Sequence, residues 1–436
     1  MRTRITIGAL LLPILASAAA DCPTRATAVL QALDAGDWER AGSGFDGRMR
    51  EALPADKLQA VWESLPAQVG KRLAQGEPRV APAGGGERVT IPLQHEKAWL
   101  DLLISCAADG QVQGLFVRPG KAPAEPPAAP PADAPWRERE LRVASAGLEL
   151  PATLSVPRGQ VHAGVVLVHG SGAHDRDETI GPNKPFRDLA HGLASHGIAA
   201  LRYEKRSHAH PQSFVGKAYT VKEEVVDDAV AAIALLRTQP ELAGKPVFVI
   251  GHSLGAMLAP RIATEAKADG MVLMAAPARS LTEMIPQQVR YIVGLDGQID
   301  AAEQAHLDQI LAGIAKVQAA LAAPASEDST PILGAPASYW RDLHHAQPFL
   351  VARAAPMPML VLQGERDYQV TMKEDFQAWH MRMRGREGYS ERSFATLGHL
   401  FTPASEKPGP ADYEVAATMD AEVIATIVDW MIGRVQ

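Results

Sequence analysis

The feature that most constrains the fold is the stretch at residues 246–256, which reads Pro-Val-Phe-Val-Ile-Gly-His-Ser-Leu-Gly-Ala. Its apolar start, mostly β-branched or aromatic, predicts a short buried strand. The next five residues, Gly251 to Gly255, have the G-x-S-x-G spacing of a nucleophile elbow, a sharp turn between a strand and a helix that exposes a serine hydroxyl. We therefore expect a strand, Ser253 at the turn, and a helix after it.

The geometry of the turn at Ser253 limits which residues can flank the serine. A serine in a strained turn brings the flanking chain very close, and side chains two residues away on either side would collide, which favours Gly251 and Gly255. Leu254 opens the following helix, where its N–H has no partner within the helix and can face a developing oxyanion. Ser253 is the predicted nucleophile and Leu254 a predicted oxyanion donor.

Length and charge limit the classes of function. A chain of 436 residues predicts two or three domains, and 47% hydrophobic residues can form a sizeable core. The net charge of −7 argues against nucleic acid or an anionic membrane surface as the main partner. Aromatic residues make up 5% of the chain, so an extended stacking platform is not expected. Nothing in the sequence indicates an oligomeric state.

The N-terminus has the pattern of a secretory signal peptide. Arg2 and Arg4 precede an apolar run at 5–15, and small residues follow at 16–20. A membrane anchor is the alternative, but the run is shorter than the ~20 residues that span a bilayer. No other stretch is long and apolar enough to insert stably. We expect residues 1–20 to be removed and the protein to be exported, as a periplasmic or secreted chain.

The two cysteines, Cys22 and Cys106, lie in the N-terminal third. Lipid attachment at Cys22 is not expected, because Asp21 stands where a lipoprotein signal needs a small residue. A catalytic or metal-binding role is also not expected, since neither cysteine has a partner at ligand spacing. In an exported chain, two lone cysteines in one small domain are consistent with a structural disulfide.

Residues 21–120 predict a small α+β domain. Helical spacing is followed by alternating or apolar runs, with helices expected at 24–33, 38–49 and 57–69 and strands at 88–93, 98–105 and 111–117. The order is similar to that of the small cystatin-like or nuclear-transport-factor-like domains that precede some bacterial hydrolases. The Pro/Ala-rich stretch at 121–135 predicts an extended linker and a domain boundary.

From residue 136 onward, strands and helices alternate. Buried apolar strands that alternate with helices predict a mostly parallel sheet covered on both faces, an α/β fold. Residues 136–436 form the predicted catalytic domain, and the helical, Ala- and Gln-rich insertion at about 279–346 is where a cap would lie. Within that insertion, Tyr339 and Trp340 either pack in the cap or contact substrate.

A serine nucleophile needs a base, and the base needs an acid to orient it. In this fold the chain order is serine, acid, histidine. Asp367 follows a late predicted strand at 359–363, with Glu365 as the alternative acid. Of the 14 histidines, His399 stands out because it follows the last strand and a glycine and precedes the closing helix. Ser253, Asp367 and His399 are the predicted triad.

The second oxyanion donor is expected in the loop that reads His-Gly-Ser-Gly at 169–172, and we assign it to the Ser171 N–H. A generic glycine-rich turn is the alternative. The acidic run at 175–178 is either a solvated loop or an ion-pair network, with Lys205 and Arg206, that braces the oxyanion loop. His252, inside the elbow, is expected to be structural.

No metal site is expected from the remaining histidines. His208, His210, His344 and His345 lack carboxylate or cysteine partners at diagnostic spacing, and we interpret them as solvated loop residues.

With these motifs in view, the chain from 136 to its end resembles the α/β-hydrolases of the bacterial serine carboxylesterase group. The resemblance rests on H-G-S-G at 169–172, D-R-D-E at 175–178, R-Y-E-K-R at 202–206, E-E-V-V-D-D-A at 223–229, G-H-S-L-G at 251–255, S-Y-W at 338–340 and R-D-Y-Q-V at 366–370. It implies hydrolysis of small-molecule esters with short acyl chains, without a cofactor. Glu204 and Ala256 depart from the group, whose members often have Asp and Gly there.

Two other classes of function stay open. Fold and triad do not set the substrate, so a serine peptidase, thioesterase or acyltransferase could use the same scaffold. A non-catalytic protein that binds envelope material is the alternative outside the enzymes, and an intact nucleophile, acid and base in the expected order argues against it.

Overall fold

The computed structural model describes residues 21–83, 86–120, 131, 133–325 and 328–434. The predicted signal peptide and residues 121–130 and 132 of the Pro/Ala-rich segment lie outside the described residues. The chain divides into two compact units, Met1–Ala129 and Pro130–Gln436. Among the described helices, none has the length and apolar character that a bilayer span requires.

The N-terminal unit places helices before an antiparallel sheet. Its elements are α1 (Cys22–Asp34), α2 (Trp38–Gly42), α3 (Gly47–Ala52), α4 (Ala55–Val69), β1 (Arg72–Gln75), β2 (Arg79–Ala83), β3 (Gly86–His95), β4 (Trp99–Ala107) and β5 (Val112–Pro119). The strand order is β1-β3-β4-β5, and β2 also pairs with β3. All of these strand pairs are antiparallel. One apolar core lies between the helices and the sheet.

Two details of this unit differ from the sequence prediction. The single helix expected at 38–49 is wrong: Asp46 accepts a hydrogen bond from the Met49 N–H and starts a new helix, while Phe45 turns into the core between the two. The strands β1 and β2 were not predicted, because β1 is largely exposed and carries no apolar alternation. Cys22 and Cys106 form a disulfide that ties α1 to β4.

The second unit alternates strands and helices. Its strands are β6 (Trp136–Ser145), β7 (Leu148–Pro157), β8 (Ala163–Val168), β9 (Ile198–Tyr203), β10 (Val247–His252), β11 (Gly270–Met274), β12 (Met359–Gly364) and β13 (Tyr389–Phe394). Its helices are α5 (Pro185–Ser195), α6 (Arg206–Ala209), α7 (Asp227–Arg237), α8 (Leu254–Glu265), α9 (Leu281–Val293), α10 (Ala301–Ala322), α11 (Ala337–His344), α12 (Pro348–Ala354), α13 (Gln377–Met383) and α14 (Ala421–Ile432).

The strands form one eight-stranded sheet in the order β13-β12-β11-β10-β8-β9-β7-β6. From β13 to β9 all neighbours are parallel, and β7 and β6 continue antiparallel at the end. Successive residues of β10 enter different cores: Val247 and Val249 on one face, Phe248 and Ile250 on the other. Both faces are therefore buried, as expected for a parallel sheet covered by helices. The fold is that of an α/β-hydrolase with helices α9 to α11 in the predicted cap region.

Candidate active site

The elbow has the strained geometry that its spacing predicts. Ser253 lies between β10 and α8 with φ 52° and ψ −115°, a conformation that non-glycine residues rarely adopt. A Cβ on Gly251 would lie 2.2 Å from the Gly255 carbonyl oxygen, and a Cβ on Gly255 would lie 2.2 Å from the Val168 carbonyl oxygen. Neither position has room for a side chain, so both glycines are required by the turn.

The predicted base, His399, contacts the predicted acid, Asp367. His399 Nδ1 and Asp367 Oδ2 are 2.7 Å apart, and both side chains are almost completely buried. Asp367 Oδ1 also accepts hydrogen bonds from the N–H groups of Gln369 and Val370, at 2.8 and 3.0 Å. Since Nδ1 donates to the carboxylate, His399 Nε2 is left as the basic nitrogen.

The alternative acid lies elsewhere. Glu365 is exposed, and its carboxylate accepts a hydrogen bond from the Ser393 hydroxyl at 2.7 Å. Gln363, which the sequence analysis did not single out, is instead the residue that organises the acid loop. Its side-chain amide donates to the Val370 carbonyl at 2.8 Å and to Asp367 Oδ2 at 3.2 Å.

His252 joins the elbow to the loop of His399. Its Nε2 donates to the His399 carbonyl oxygen at 2.9 Å, and the two rings lie 4.7 Å apart between centroids. Since His252 precedes Ser253, this contact keeps His399 beside the elbow. Among the described residues no hydrogen bond joins Ser253 Oγ to His399, and such bonds commonly tighten only when substrate is bound.

The H-G-S-G loop passes directly against the elbow serine. A Cβ on Gly170 would lie 3.3 Å from Ser253 Cβ. Within the described part of the chain, the N–H groups of Ser171 and Leu254 donate no hydrogen bond to a protein acceptor. Both backbone donors are thus available to a ligand oxygen beside Ser253.

A buried carboxylate and imidazole lie under this loop. Glu178 Oε1 accepts the Gly170 N–H at 2.6 Å, and Glu178 Oε2 lies 3.0 Å from His252 Nδ1. Burial acts to raise the pKa of Glu178, but the facing His252 outweighs it and lowers that pKa to about 2. Burial acts to lower the pKa of His252, and Glu178 outweighs it and raises that pKa. The two groups therefore form an ion pair, and His252 is structural, as predicted.

A buried lysine holds the same loop from the other side. Lys205 Nζ donates to the carbonyl oxygens of Gly170 and Gly172 at 2.9 and 3.0 Å, and it lies 3.1 Å from Glu224 Oε1. The predicted partnership of the loop with Lys205 is thus present, although Lys205 contacts loop carbonyls and not the acidic run. The expected role of Arg206 is wrong, because Arg206 pairs with the buried carboxylate of Asp228 instead.

The acidic run is an ion-pair network and not a solvated loop. Arg176 contacts Glu204 at 3.0 Å and Glu140 at 2.5 Å, and Asp177 pairs with Arg202. Asp175 closes a turn by accepting hydrogen bonds from Thr179 and from the Asp177 N–H. Glu204, one of the two departures from the group pattern, is thereby the partner of Arg176.

His169 is a second buried histidine at the base of the loop. Its Nε2 donates to the Asp175 carbonyl oxygen at 2.9 Å, and its Nδ1 is buried without a partner among the described residues. Burial lowers the pKa of His169 to about 3, so the ring is neutral at physiological pH. Its position directly after β8 is the sequence signal that could have identified it.

A small apolar pocket lies between α8 and the cap. Its volume is about 30 Å³, and its walls are formed by Met257, Ser280, Leu281, Thr282, Leu321, Trp340, Leu343 and His344. Met257 is one helical turn beyond Ser253. Trp340 and Tyr339 are both buried, and the Trp340 Nε1 donates to the Ile332 carbonyl. Both residues thus pack in the core, and Trp340 also lines this pocket.

Metal ligation is not indicated by the part of the chain that the structure describes, because no group of three or more His, Cys, Asp or Glu side chains is placed to hold an ion. His344 and His345 contact each other edge to face, and His210 Nε2 donates to the Glu149 carbonyl.

Comparisons with known proteins agree with this fold. Residues 159–388 match the hydrolase family described as serine aminopeptidase, S33, and residues 26–115 match a family described only as a protein of unknown function. The chain is 34% identical to esterase EstD of Thermotoga maritima over 409 residues, which is 92% of this chain and 93% of that one.

Solved esterase structures are among those to which the chain is similar. One of an esterase from Pyrococcus furiosus has 14% identity and a TM-score of 0.41, covering 64% of this chain and 88% of the other. The ferulic acid complex of Est1E from Butyrivibrio proteoclasticus has 13% identity and a TM-score of 0.44, covering 67% and 98%. The family match and the relationship to EstD show that this chain belongs to the serine aminopeptidase S33 family of α/β-hydrolases and is a carboxylesterase-type hydrolase.

Proposed function

We propose that the protein hydrolyses carboxylic esters through a triad of Ser253, His399 and Asp367. The observation that carries this proposal is the 2.7 Å contact between His399 Nδ1 and Asp367 Oδ2 beside a strained elbow serine. That contact fixes the imidazole with Nε2 as its basic nitrogen, which is the arrangement a serine nucleophile needs.

The reaction follows from the groups in place. Ser253 Oγ attacks the ester carbonyl carbon while its proton moves to His399 Nε2, and the Ser171 and Leu254 N–H groups stabilise the oxyanion. Collapse of the tetrahedral intermediate breaks the bond to the leaving alcohol, which takes the proton from His399. Water then attacks the acyl-enzyme by the same route and releases the carboxylic acid. Asp367 stabilises the imidazolium throughout.

We propose short acyl chains as the substrates. The apolar pocket lined by Met257, one turn from the elbow, has a volume of about 30 Å³, roughly that of a methyl group, and so has no room for a long acyl chain. The cap residues Leu281, Leu321 and Leu343 close this pocket. Replacing Leu343 with alanine is expected to move the preferred chain length upward, because it removes apolar volume from the wall.

A second candidate activity is peptide hydrolysis, because the matched family is described as a serine aminopeptidase. Thioester hydrolysis and acyl transfer would use the same catalytic groups. These reactions differ from ester hydrolysis in the leaving group and the acceptor, and not in the triad.

We also propose that the mature protein is exported. The basic and apolar N-terminus at 1–20 and the disulfide between Cys22 and Cys106 both support an oxidising compartment. N-terminal sequencing of the protein from a cell fractionation tests this directly. A chain that begins near Asp21 in the periplasm or medium is expected, and an uncleaved cytoplasmic chain would contradict it.

The activity is tested with a series of p-nitrophenyl esters from acetate to decanoate. Wild-type protein is expected to prefer the short chains, and Ser253→Ala should lose at least ~10³-fold in kcat. Ser393→Ala is the matched control and should retain activity, because the Ser393 hydroxyl donates to Glu365 and not to a triad residue. Wild-type protein that is inert on all esters but still labelled by an organophosphonate would point to peptides or thioesters. Activity that survives in Ser253→Ala would overturn the proposal.

A further inference from the structure

One candidate oxyanion donor, the Ser171 N–H, lies in a segment whose own residues restrict the backbone conformation little. Ser171 is exposed and lies between Gly170 and Gly172, and Gly172 has a φ of 104°. Glycine has the widest choice of backbone conformations, so the peptides around Ser171 need an outside constraint to hold one orientation. An N–H turned away from the reacting carbonyl would contribute nothing to the oxyanion hole.

That constraint is visible in the peptide between Gly170 and Ser171. In a trans peptide the C=O and the N–H point in opposite directions. Lys205 Nζ donates to the Gly170 carbonyl oxygen at 2.9 Å, so the Ser171 N–H is directed away from Lys205. Rotation of this peptide would break the contact and leave a buried ammonium with one acceptor fewer.

The neighbouring peptides are held as well. The Gly170 N–H donates to Glu178 at 2.6 Å, and the Gly172 carbonyl oxygen accepts from Lys205 at 3.0 Å. The Ser171 carbonyl oxygen accepts from His174 Nε2 at 2.7 Å. Glu178 and Lys205 thus hold the two polar groups of Gly170, and Lys205 also holds the Gly172 carbonyl oxygen. Among the described residues the Ser171 N–H has no protein acceptor, and it belongs to the peptide whose carbonyl oxygen Lys205 holds.

Lys205 is itself tied into the fold. Its side chain is 2% exposed, and burial of an ammonium is unfavourable unless it is paired. Glu224 supplies the pair at 3.1 Å, and Glu224 in turn accepts hydrogen bonds from Ser207 at 2.7 Å and from Tyr339 at 3.4 Å. Tyr339 lies on α11. The position of Nζ is therefore fixed by groups outside the loop.

We propose that Lys205 is a positioning residue of the oxyanion hole, which holds the Gly170–Ser171 peptide so that the Ser171 N–H faces the substrate oxygen on Ser253. The proposal rests on the proposed esterase function. Lys205 transfers no proton and contacts no substrate. Its effect is on the transition state, because only there does full negative charge develop on the oxygen that the Ser171 N–H contacts.

The test replaces Lys205 with methionine, which keeps the length of the side chain and removes the charge and the donor. We expect kcat per active site to fall by about 10²-fold, the order found when one oxyanion donor is lost, with KM changed less than about three-fold. Titrating active sites with an organophosphonate, followed to completion, counts only folded enzyme and separates this effect from partial unfolding.

The matched control is Arg206→Met. Arg206 is the adjacent residue, is similarly buried and forms an ion pair with Asp228, but it does not contact the loop. The Arg206→Met variant removes the same kind of buried charge. It should therefore lower the free energy of unfolding and leave kcat per active site within about three-fold of the wild-type value. Lys205→Gln is a second variant, for use if Lys205→Met does not fold. It keeps a polar side chain, and we expect the same loss in kcat.

A trifluoromethyl ketone provides the deciding measurement, since its adduct with the serine carries the oxyanion. Its inhibition constant should rise in Lys205→Met by the same factor by which kcat/KM falls. An unchanged inhibition constant, or kcat per active site within three-fold of wild type, would overturn the role of Lys205. Failure of the proposed function gives a different result: undiminished ester turnover in Ser253→Ala.

Discussion

The two halves of the candidate active site are built by different means. In the acid–base half, Asp367 is held by main-chain N–H groups and by the neutral amide of Gln363. In the oxyanion half, the loop at 169–172 is held by charged side chains, Glu178 and Lys205. The acid follows the end of a buried strand, which fixes a tight turn by itself. The glycine-rich loop has no such stiffness and is held by groups from other elements.

The largest effect should come from the acid. In Asp367→Asn, the amide can donate toward His399 Nδ1 and so favour the wrong tautomer, and kcat should fall by ~10⁴-fold, the order known for this change in serine proteases. Steady-state ester hydrolysis measures it. Glu365→Gln is the matched control and should stay within about two-fold. If Glu365→Gln proved the inactive variant, the assignment of the acid would be wrong.

A smaller effect is expected when the charge in the oxyanion half is removed. Glu178→Gln keeps an acceptor for the Gly170 N–H but no longer raises the pKa of His252. His252 then loses its proton at a lower pH, so the alkaline limb of the kcat/KM profile should move to lower pH. At neutral pH we expect a loss of about ten-fold in kcat.

Glu204→Gln is the control for that profile, since Glu204 pairs with Arg176 of the same acidic run and not with His252. Its alkaline limb should coincide with that of wild type. Equal shifts in both variants would mean that the limb reports the overall charge of the network and not the pair of Glu178 with His252.

The acid–base half should tolerate a substitution of its neutral support. Gln363→Leu leaves the Val370 carbonyl oxygen without its side-chain donor, and the free energy of unfolding should fall by about 2 kcal/mol. Asp367 keeps its two main-chain donors, so kcat per active site should change less than about five-fold. Denaturant unfolding and active-site titration measure the two quantities. A kcat loss as large as that of Asp367→Asn would show that this half depends on its side chains too.

The smallest expected effect is on stability against acid. Because burial lowers the pKa of His169 to about 3, the unfolded chain binds a proton below pH 6.5 that the folded chain does not. Stability therefore falls as pH decreases between 6.5 and about 3, and this residue alone should remove about 2 kcal/mol between pH 7 and pH 5. Denaturant unfolding of wild type and His169→Gln at both pH values measures the difference. Identical slopes would contradict a neutral buried His169.

The same comparison explains how much of the site was predictable. Ser253, Asp367 and His399 follow strand ends in a fixed order, and strands are read from local apolar runs, so the sequence leads to all three positions. The sequence also offers Lys205 as a partner of the oxyanion loop, but the role of Gln363, the contact of Lys205 with loop carbonyls and the contact of Glu178 with Gly170 depend on which loops meet in space. Nothing in the neighbouring sequence specifies that meeting, because a polar residue at a strand end looks the same whether it is solvated or buried.

The fold shows the same limit. The parallel sheet and its strand positions follow from β-branched runs that are buried on both faces. The split between α2 and α3 follows instead from Phe45 entering the core and from the cap that Asp46 provides, which helical periodicity does not reveal. The exposed strand β1 likewise has no apolar pattern to identify it.

The disulfide between Cys22 and Cys106 determines which proteolytic cuts release a fragment. The bond joins the first residue of α1 to β4, so nearly the whole N-terminal unit lies inside one covalent loop. A protease that cuts anywhere between the two cysteines opens the loop but releases no fragment until the bond is reduced. A cut in the Pro/Ala-rich segment after residue 120 frees that unit in one piece. A single cut between Cys22 and Cys106 would therefore release nothing on a non-reducing gel and would be evident on a reducing one.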